Sequence, residues 1–411
     1  MAKMESQHLD FEIDTRRIKA TKREALLKVE KFANEGCSIA YENEKVIFVR
    51  YALPGEYIRA NIYRETSSYA MAEPVEIIQP SPLRIKPLCP YFGMCGGCDY
   101  QMMDYSKQIE VKNTLLVETF KRIAGLDIEE FLRVIPSPSP FNYRNTETFK
   151  VDPKKKKIGF FRRDTKFIVD IESCFLAMEK INQALNDVRN QSEFPPHNFK
   201  VRTTNDGDTV VNFIKTEKYE DRPVYERILV NGREIKFKIS KDSFFQVNNY
   251  VIPLWLENII EFLEPEGKEV VYDLYCGIGL ITLFVSYYAK KTVGIEIAKS
   301  SVKDAVHNMK INNINTDVSF ILGAVEEKLK YLPAADVYII DPPRKGMAKE
   351  CIEFIKEFQP KKIIYSSCKP STMARDISLL KDFYHLERIS LVDMFPQTHH
   401  METLALLVKS A

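Results

Sequence analysis

The 411-residue chain has no stretch approaching the ~18 consecutive apolar residues of a membrane-spanning helix. No N-terminal run has the apolar core of a signal peptide, so a soluble cytoplasmic protein is expected. The chain also lacks a dominant charge: 59 Lys and Arg face 57 Asp and Glu, a formal net charge of +2. Any nucleic-acid binding must then come from local basic patches and not from a global field. Arg16 to Arg23, Lys154 to Lys157 with Arg162 and Arg163, and Lys361 with Lys362 are the candidates. Internal repeats and long low-complexity tracts are absent as well. In a reducing compartment the eight cysteines are expected to be ligands, nucleophiles or core residues rather than disulfides.

At this length two or three domains are expected, each burying its own core. Residues 1–15 are polar and unpatterned and are expected to be loosely ordered. Over 16–80, short β-rich runs alternate with the turn signals Asn34-Glu-Gly36 and Leu53-Pro-Gly55, predicting a small antiparallel barrel. Proline clusters at 80–87 and 136–140 mark segment edges. Between them, Tyr105 to Ile123 has helical apolar spacing. A central α+β region over 81–240 shows strands at 209–214 and 235–239. Over 241–411, strand-like runs at 270–274, 291–295, 318–322, 337–340 and 362–365 alternate with helical ones, predicting a doubly wound α/β domain.

In such a sheet, ligands bind outside the carboxyl ends of the strands. Val271-Tyr-Asp-Leu-Tyr-Cys-Gly-Ile-Gly279 reads as a strand running into a Gly-rich turn, and Val293-Gly-Ile-Glu296 ends the next strand in a carboxylate suited to a ribose diol. Neither says which ribose-bearing cofactor is held. Asp341-Pro-Pro-Arg344 discriminates, because a rigid Pro-Pro turn after the fourth strand fits a base methyltransferase better than a nicotinamide enzyme. Enzymes that methylate exocyclic amines commonly follow the prolines with an aromatic residue to stack on the base. Arg344 stands there, so a ring carbon is the better target.

C5 of uracil cannot readily attack a sulfonium methyl until a thiolate adds at C6. Cys368, in Ile363-Ile-Tyr-Ser-Ser-Cys368, follows an apolar strand and is the candidate nucleophile. Glu402, in Thr398-His-His-Met-Glu402, is the candidate base for the C5 proton. The competing readings are a small buried hydrophobe for Cys368 and a surface carboxylate for Glu402. His399 and His400 lack a third ligand in sequence and are read as structural; Cys276 and Cys351 are expected to pack, and Cys37 is unexplained.

Cys89, Cys95 and Cys98 lie within ten residues, with Cys174 further on. Four thiolates fit either zinc or an iron–sulfur cluster; the three-plus-one spacing favours a closed cluster.

Together these motifs resemble the RNA uridine-5 methyltransferase family, in the branch with an N-terminal TRAM barrel and a 4Fe-4S cluster. Ser243-Phe-Phe-Gln-Val-Asn248 adds to the likeness, which runs from about residue 18 to the end. The resemblance implies S-adenosylmethionine contacts from Gln246, Tyr275, Glu296 and Asp341, with Cys368 as nucleophile and Glu402 as base. It implies Phe244 and Gln246 near the uracil and Cys89, Cys95, Cys98 and Cys174 on the cluster. Tyr143-Arg-Asn145 resembles a further family segment of structural character. Leu280 departs from relatives that have a polar, cofactor-touching residue there. The implied substrate is structured RNA, 23S ribosomal RNA first and the T-loop uridine of transfer RNA as the alternative. A non-catalytic RNA-binding protein is the reading from another class. By the same likeness the helix at 105–123 docks on the catalytic domain. No obligate protein partner is evident, and a monomer is expected.

Overall fold

The computed structural model describes residues 23–214 and 222–410. The tail at 1–15 and all of the Arg16 to Arg23 run except Arg23 lie outside the described residues. Strands β1 (Arg23–Ala33), β2 (Cys37–Glu42), β3 (Lys45–Arg50), β4 (Tyr57–Glu65) and β5 (Tyr69–Gln79) close a barrel in the order β1-β2-β3-β5-β4. Period-two alternation sends Ala25, Leu27 and Val29 into its core beside Ile47, Val49 and Ile58. The barrel is not wholly antiparallel as expected, since β3 and β5 run parallel. Direction cannot alternate all the way round a closed ring of five strands, so at least one neighbouring pair must be parallel.

Helix α1 (Tyr105–Ala124) covers the run whose spacing predicted it. By contacts the chain divides into two compact units, and α1 contributes to both. The first unit comprises residues 1–115, 155–175 and 397–399; the second comprises 116–154, 176–396 and 400–411. Within the first, Val111 and Leu115 pack with Tyr51, Tyr100 and Met102. Within the second, Leu116 and Phe120 join the core around Tyr338 and Leu391.

Further along come β6 (Leu132–Ile135), β7 (Thr146–Asp152), β8 (Lys157–Phe161), β9 (Ile168–Asp170) and α2 (Glu179–Arg189). Strands β10 (Phe199–Thr203), β11 (Thr209–Phe213), β12 (Val224–Val230) and β13 (Arg233–Ile239) lead to α3 (Ile252–Leu263). In the first unit β8 and β9 form an antiparallel pair. In the second, β10 pairs antiparallel with both β7 and β11, while β12 and β13 form a separate two-stranded ribbon.

The large sheet region alternates β14 (Val270–Leu274), α4 (Leu280–Val285), β15 (Lys291–Glu296), α5 (Lys299–Ile311), β16 (Val318–Leu322), α6 (Val325–Lys328), β17 (Val337–Ile340), α7 (Lys349–Phe358), β18 (Lys362–Ser367) and α8 (Pro370–Leu380). Two antiparallel strands, β19 (Tyr384–Val392) and β20 (Glu402–Lys409), complete it. The order is β16-β15-β14-β17-β18-β20-β19-β6, parallel from β16 to β18, with β20 inserted between β18 and β19. Near-continuous apolar runs such as Val337–Ile340 suit strands buried on both faces. The far edge is β6, which pairs parallel with β19 although it lies about 250 residues upstream of it.

The Lys361–Lys362 patch and the arginines of the Lys154 to Arg163 patch are internally compensated. Arg162 is buried and paired with Glu73, and Arg163 pairs with Asp99 at 2.5 Å. Lys361 pairs with Asp336 at 2.9 Å and Lys362 with Glu264 at 2.6 Å. Cationic spacing along a chain does not disclose carboxylates brought to it by folding.

Candidate active site

The turn after β14 carries local strain. Tyr275 has a φ of 69°, a left-handed conformation that costs a non-glycine residue of the order of 1 kcal/mol or more. Gly279 has a φ of 83°, and a Cβ there would lie 2.9 Å from the Phe320 ring, so glycine is required. Glu296, at the end of β15, accepts hydrogen bonds from the backbone N–H groups of Gly277 (3.1 Å) and Ala298 (2.7 Å). Its carboxylate therefore braces the turn, and the oxygens retain lone pairs for a hydroxyl donor.

A cleft opens beside this turn, lined by Phe244, Gln246, Tyr275, Gly277, Leu280 and Asp341 among others. Gln246, Tyr275 and Asp341, read from sequence as cofactor contacts, thus share one concavity with Phe244, the expected base contact. Phe244 is 65% exposed, unusual for a phenylalanine between buried neighbours. Leu280 lines the same wall, so its replacement of a polar residue makes that wall apolar. Behind the turn, buried Asp273 accepts from Thr282 Oγ1 at 2.5 Å, and its Oδ1 has no hydrogen-bond partner. Burial pushes its carboxyl up to about 7.

Cys368 and Glu402 sit at adjoining strand ends: Cys368 follows β18, and Glu402 begins β20, whose Thr403 pairs with Ser367. Glu402 is buried, and its Oε1 accepts from Ser366 Oγ at 2.7 Å; that hydroxyl accepts from Trp255 Nε1 at 3.2 Å. This is not the surface carboxylate of the competing reading. Burial, reinforced by the charge of Asp341, pushes Glu402 well above the carboxylate range. Burial likewise raises Asp341 to about 7. The Cys368 thiol is half-buried and pushed up to about 11 by desolvation, with Glu402 raising it further and Arg344 opposing. Glu402, Asp341 and Arg344 therefore all lie within electrostatic reach of Cys368. Arg344 is in turn 3.2 Å from His400 Nδ1.

Of the residues that hold this arrangement, the sequence flagged only the Tyr143-Arg-Asn145 segment, and not its partners. Asn145 is buried, and its Nδ2 donates to Gln246 O (2.8 Å) and Asn249 Oδ1 (2.7 Å). Asn249 Nδ2 donates to Glu226 Oε2 at 2.5 Å, and burial pushes Glu226 up to about 7. Tyr143 Oη donates to Pro396 O at 2.9 Å, so the segment flagged as structural is anchored at both ends. On α5, Asp304, Asn308 and Asn312 recur every four residues and face one direction. Their oxygens accept from Ser240 N (2.9 Å), Lys238 N (2.7 Å) and Lys236 N (2.8 Å) along the open edge of β13. Asp304 also accepts from Ser243 Oγ at 2.7 Å, and Asn308 Nδ2 donates to Ile278 O at 3.3 Å. One helix face thus ties the approach to Phe244 and Gln246 to the Gly-rich turn.

The four clustered cysteines all fall in the first unit. Cys89, Cys95 and Cys98 lie on a turn-rich loop, and Cys174 follows β9. Two ties join these loops: Gly96 N donates to Phe161 O at 3.0 Å, and Glu172 N donates to Tyr91 Oη at 3.0 Å. A Cβ at Gly96 would lie 2.9 Å from both Phe161 O and Arg163 N, so only glycine permits that approach. Gln101 donates to Cys98 Sγ at 3.2 Å and accepts from Cys89 N at 3.2 Å. An all-thiol donor set suits either zinc or an iron–sulfur cluster. Among the described residues, no group of three or more His, Cys, Asp or Glu is arranged to hold a metal ion. None of the eight cysteines is in a disulfide; Cys37, Cys276 and Cys351 are buried, and His399 Nδ1 lies 2.7 Å from Asp99.

Comparison with known proteins decides the family. The family model described as tRNA (uracil-5-)-methyltransferase matches residues 210–410. An Aquifex aeolicus protein described as an uncharacterized RNA methyltransferase is 33% identical over 93% of this chain and 97% of its own. The chain belongs to this family of RNA methyltransferases. A Clostridium tetani relative of the same description is 31% identical over 93% of this chain and 95% of its own. The fold of the Pyrococcus abyssi tRNA (uracil-54, C5)-methyltransferase, solved with S-adenosyl-L-homocysteine, matches with a TM-score of 0.71. That likeness covers 94% of this chain and 100% of the other at 23% identity. As an RNA methyltransferase, the protein uses S-adenosylmethionine as methyl donor. Among the described residues no helix is long and apolar enough to cross a membrane.

Proposed function

We propose that the enzyme methylates C5 of a uridine in 23S ribosomal RNA through a covalent adduct between Cys368 and uracil C6. The observation that supports the adduct chemistry is the half-buried Cys368 thiol lying within electrostatic reach of buried Glu402 and of Asp341, which lines the cleft. Gln246, Tyr275, Glu296 and Asp341 would hold S-adenosylmethionine, which supplies an electrophilic methyl group when bound. Phe244 offers an exposed ring at the rim against which a flipped base can stack.

Cys368 and Glu402 each disfavour the other's charge. A protonated Glu402 therefore eases formation of the thiolate that adds to C6. Once that sulfur is bonded to carbon its charge is gone, so Glu402 can release its own proton to solvent; after C5 has bonded the methyl group and S-adenosylhomocysteine has left, the carboxylate would take the C5 proton. Departure of the thiolate then restores the C5–C6 double bond. The raised affinity of Glu402 for protons suits it to be the acceptor.

Cys89, Cys95, Cys98 and Cys174 would hold a 4Fe-4S cluster that fixes the loops of the first unit. Iron and acid-labile sulfide in anaerobically purified protein, lost on Cys95→Ser, test this. A second reading, the T-loop uridine 54 of transfer RNA, is favoured by the fold likeness to an enzyme of that description. Incubating unmodified ribosomal and transfer RNA with methyl-labelled cofactor, followed by nucleoside mass spectrometry, separates the two. Cys368→Ala should abolish transfer while retaining cofactor binding. Glu402→Gln should accumulate a protein–RNA adduct on denaturing gels; full turnover by either variant refutes its assignment.

A further inference from the structure

Immediately after Arg344 the chain enters a second concavity, enclosing about 410 Å³ between the start of α7 and one face of α8. Its charge balance is uneven. Asp376 is consumed internally: it accepts from Met347 N (2.9 Å), Tyr365 Oη (2.7 Å) and Arg375 Nε (2.8 Å). Glu353 pairs with Lys356 at 3.1 Å. Lys345 and Lys349 are exposed and, among the described residues, no carboxylate pairs with either. The floor is apolar, built from Met347 and Ile352, and Leu379 stands 51% exposed at the rim. The rim is also preorganised, since Gly346 N donates to Pro343 O at 2.8 Å and Arg375 Nη2 donates to Lys345 O at 3.1 Å. The backbone bearing Lys345 is thus fixed while its ammonium is left uncompensated.

We propose that this groove binds the single-stranded RNA beside the flipped uridine. Lys345 and Lys349 contact consecutive phosphates, and Leu379 packs against a sugar or base face. The proposal rests on the RNA methyltransferase reading and extends it to a surface outside the catalytic cleft. Two features select RNA over an acidic peptide. The cations flank an apolar strip, which fits a polymer that alternates anionic backbone with flat hydrophobic faces. The groove also starts one residue beyond Arg344, which itself lies within electrostatic reach of Cys368, so its Lys345 end lies near the proposed place of the target base.

The test compares K345E/K349E and the milder K345Q/K349Q with the wild type, using unmodified 23S ribosomal and transfer RNA transcripts. Each lost phosphate contact lowers the slope of log affinity against log salt by about 0.7 on a single strand, so about 1.4 is expected for the pair. KM for RNA should rise roughly tenfold or more at moderate salt, with kcat and S-adenosylhomocysteine affinity unchanged. Normal S-adenosylhomocysteine binding shows that the variants are folded. An unchanged salt slope and KM would overturn the groove while leaving the enzyme reading intact. Failure of the wild type to bind or methylate either RNA would overturn both. A variant that dissociates a wild-type dimer without changing the RNA salt slope would assign the groove to a second copy instead and overturn the proposal.

Discussion

Asn145→Ala is the substitution whose consequence the structure fixes most closely. The side chain is 2% exposed, and its amide is the donor to both Gln246 O and Asn249 Oδ1. Removing it leaves two acceptors without that donor, at about 1–3 kcal/mol for each that stays buried. Asn249 keeps its own donation to Glu226, so it cannot turn its amide without breaking that bond. A loss of about 2–4 kcal/mol follows, which lowers the melting temperature by roughly 5–15 °C for a unit of this size. Because Gln246 lines the cleft, part of the loss falls on cofactor binding, where about 1.4 kcal/mol is a factor of ten in Kd. The assay is S-adenosylhomocysteine titration calorimetry beside thermal melting. Asn145→Asp is the decisive control: it preserves shape but sets a carboxylate oxygen against two acceptors. We expect it to be at least as damaging as alanine. If aspartate binds cofactor and melts like the wild type, Asn145 acts by packing alone and the reasoning fails.

Binding of S-adenosylmethionine should release protons near pH 7. Asp341, which lines the cleft and is raised by burial to about 7, is partly protonated there, whereas a cation in the cleft favours its ionisation. Affinity should therefore weaken as pH falls from 8 to 6, by up to about tenfold per unit for each proton released, and less so for S-adenosylhomocysteine, which lacks the sulfonium; equal heats in buffers of different ionisation enthalpy at pH 7 would refute this. Gly279→Ala should cost about 1–3 kcal/mol through its positive φ and push against Phe320, abolishing cofactor binding before it unfolds the protein; retained cofactor affinity would refute the role of the turn. Asp304→Ala should raise KM for S-adenosylmethionine and expose residues 240–245 to limited proteolysis, because three donors from Ser240 and Ser243 lose their acceptor.

What was legible in the sequence follows from the range over which each signal acts. The parallel strands announced themselves because β14 and β17 are short, largely apolar buried runs, and their observed ends coincide with the sequence reading, as do those of the more exposed edge strand β16. The ends of parallel strands gather on one side of the sheet, so motifs found at strand ends, such as Tyr275, Asp341 and Cys368, could be expected to meet before any distance was known. The barrel was legible as short strands, but its one parallel pair was not. A strand's direction relative to its neighbour is set by ring closure, a property of all five together. The middle region was read least completely: β7, β10 and β12 alternate polar and apolar residues over only five to seven positions, with little to separate them from loops.

The partners of the supporting residues stayed hidden for a different reason, even where, as at Tyr143-Arg-Asn145, the segment itself was flagged as structural. Asn145 and Gln246 are about a hundred positions apart, and an asparagine destined to be buried resembles any turn asparagine until its partners are known. The Asp304, Asn308 and Asn312 series is the exception that could have been found. Three amide or carboxylate side chains at i, i+4 and i+8 on a helix otherwise bearing lysines form a polar stripe where an apolar one would normally face the core. Such a stripe has two physical outcomes: solvent, or a line of unpaired backbone groups spaced to match it. Burial of Asn308 and Asp304 selects the second, and β13 is that line. Since the same helix also reaches Ile278 in the Gly-rich turn, the polar stripe ties that turn to the segment leading to Phe244 and Gln246, two parts of the cleft lining.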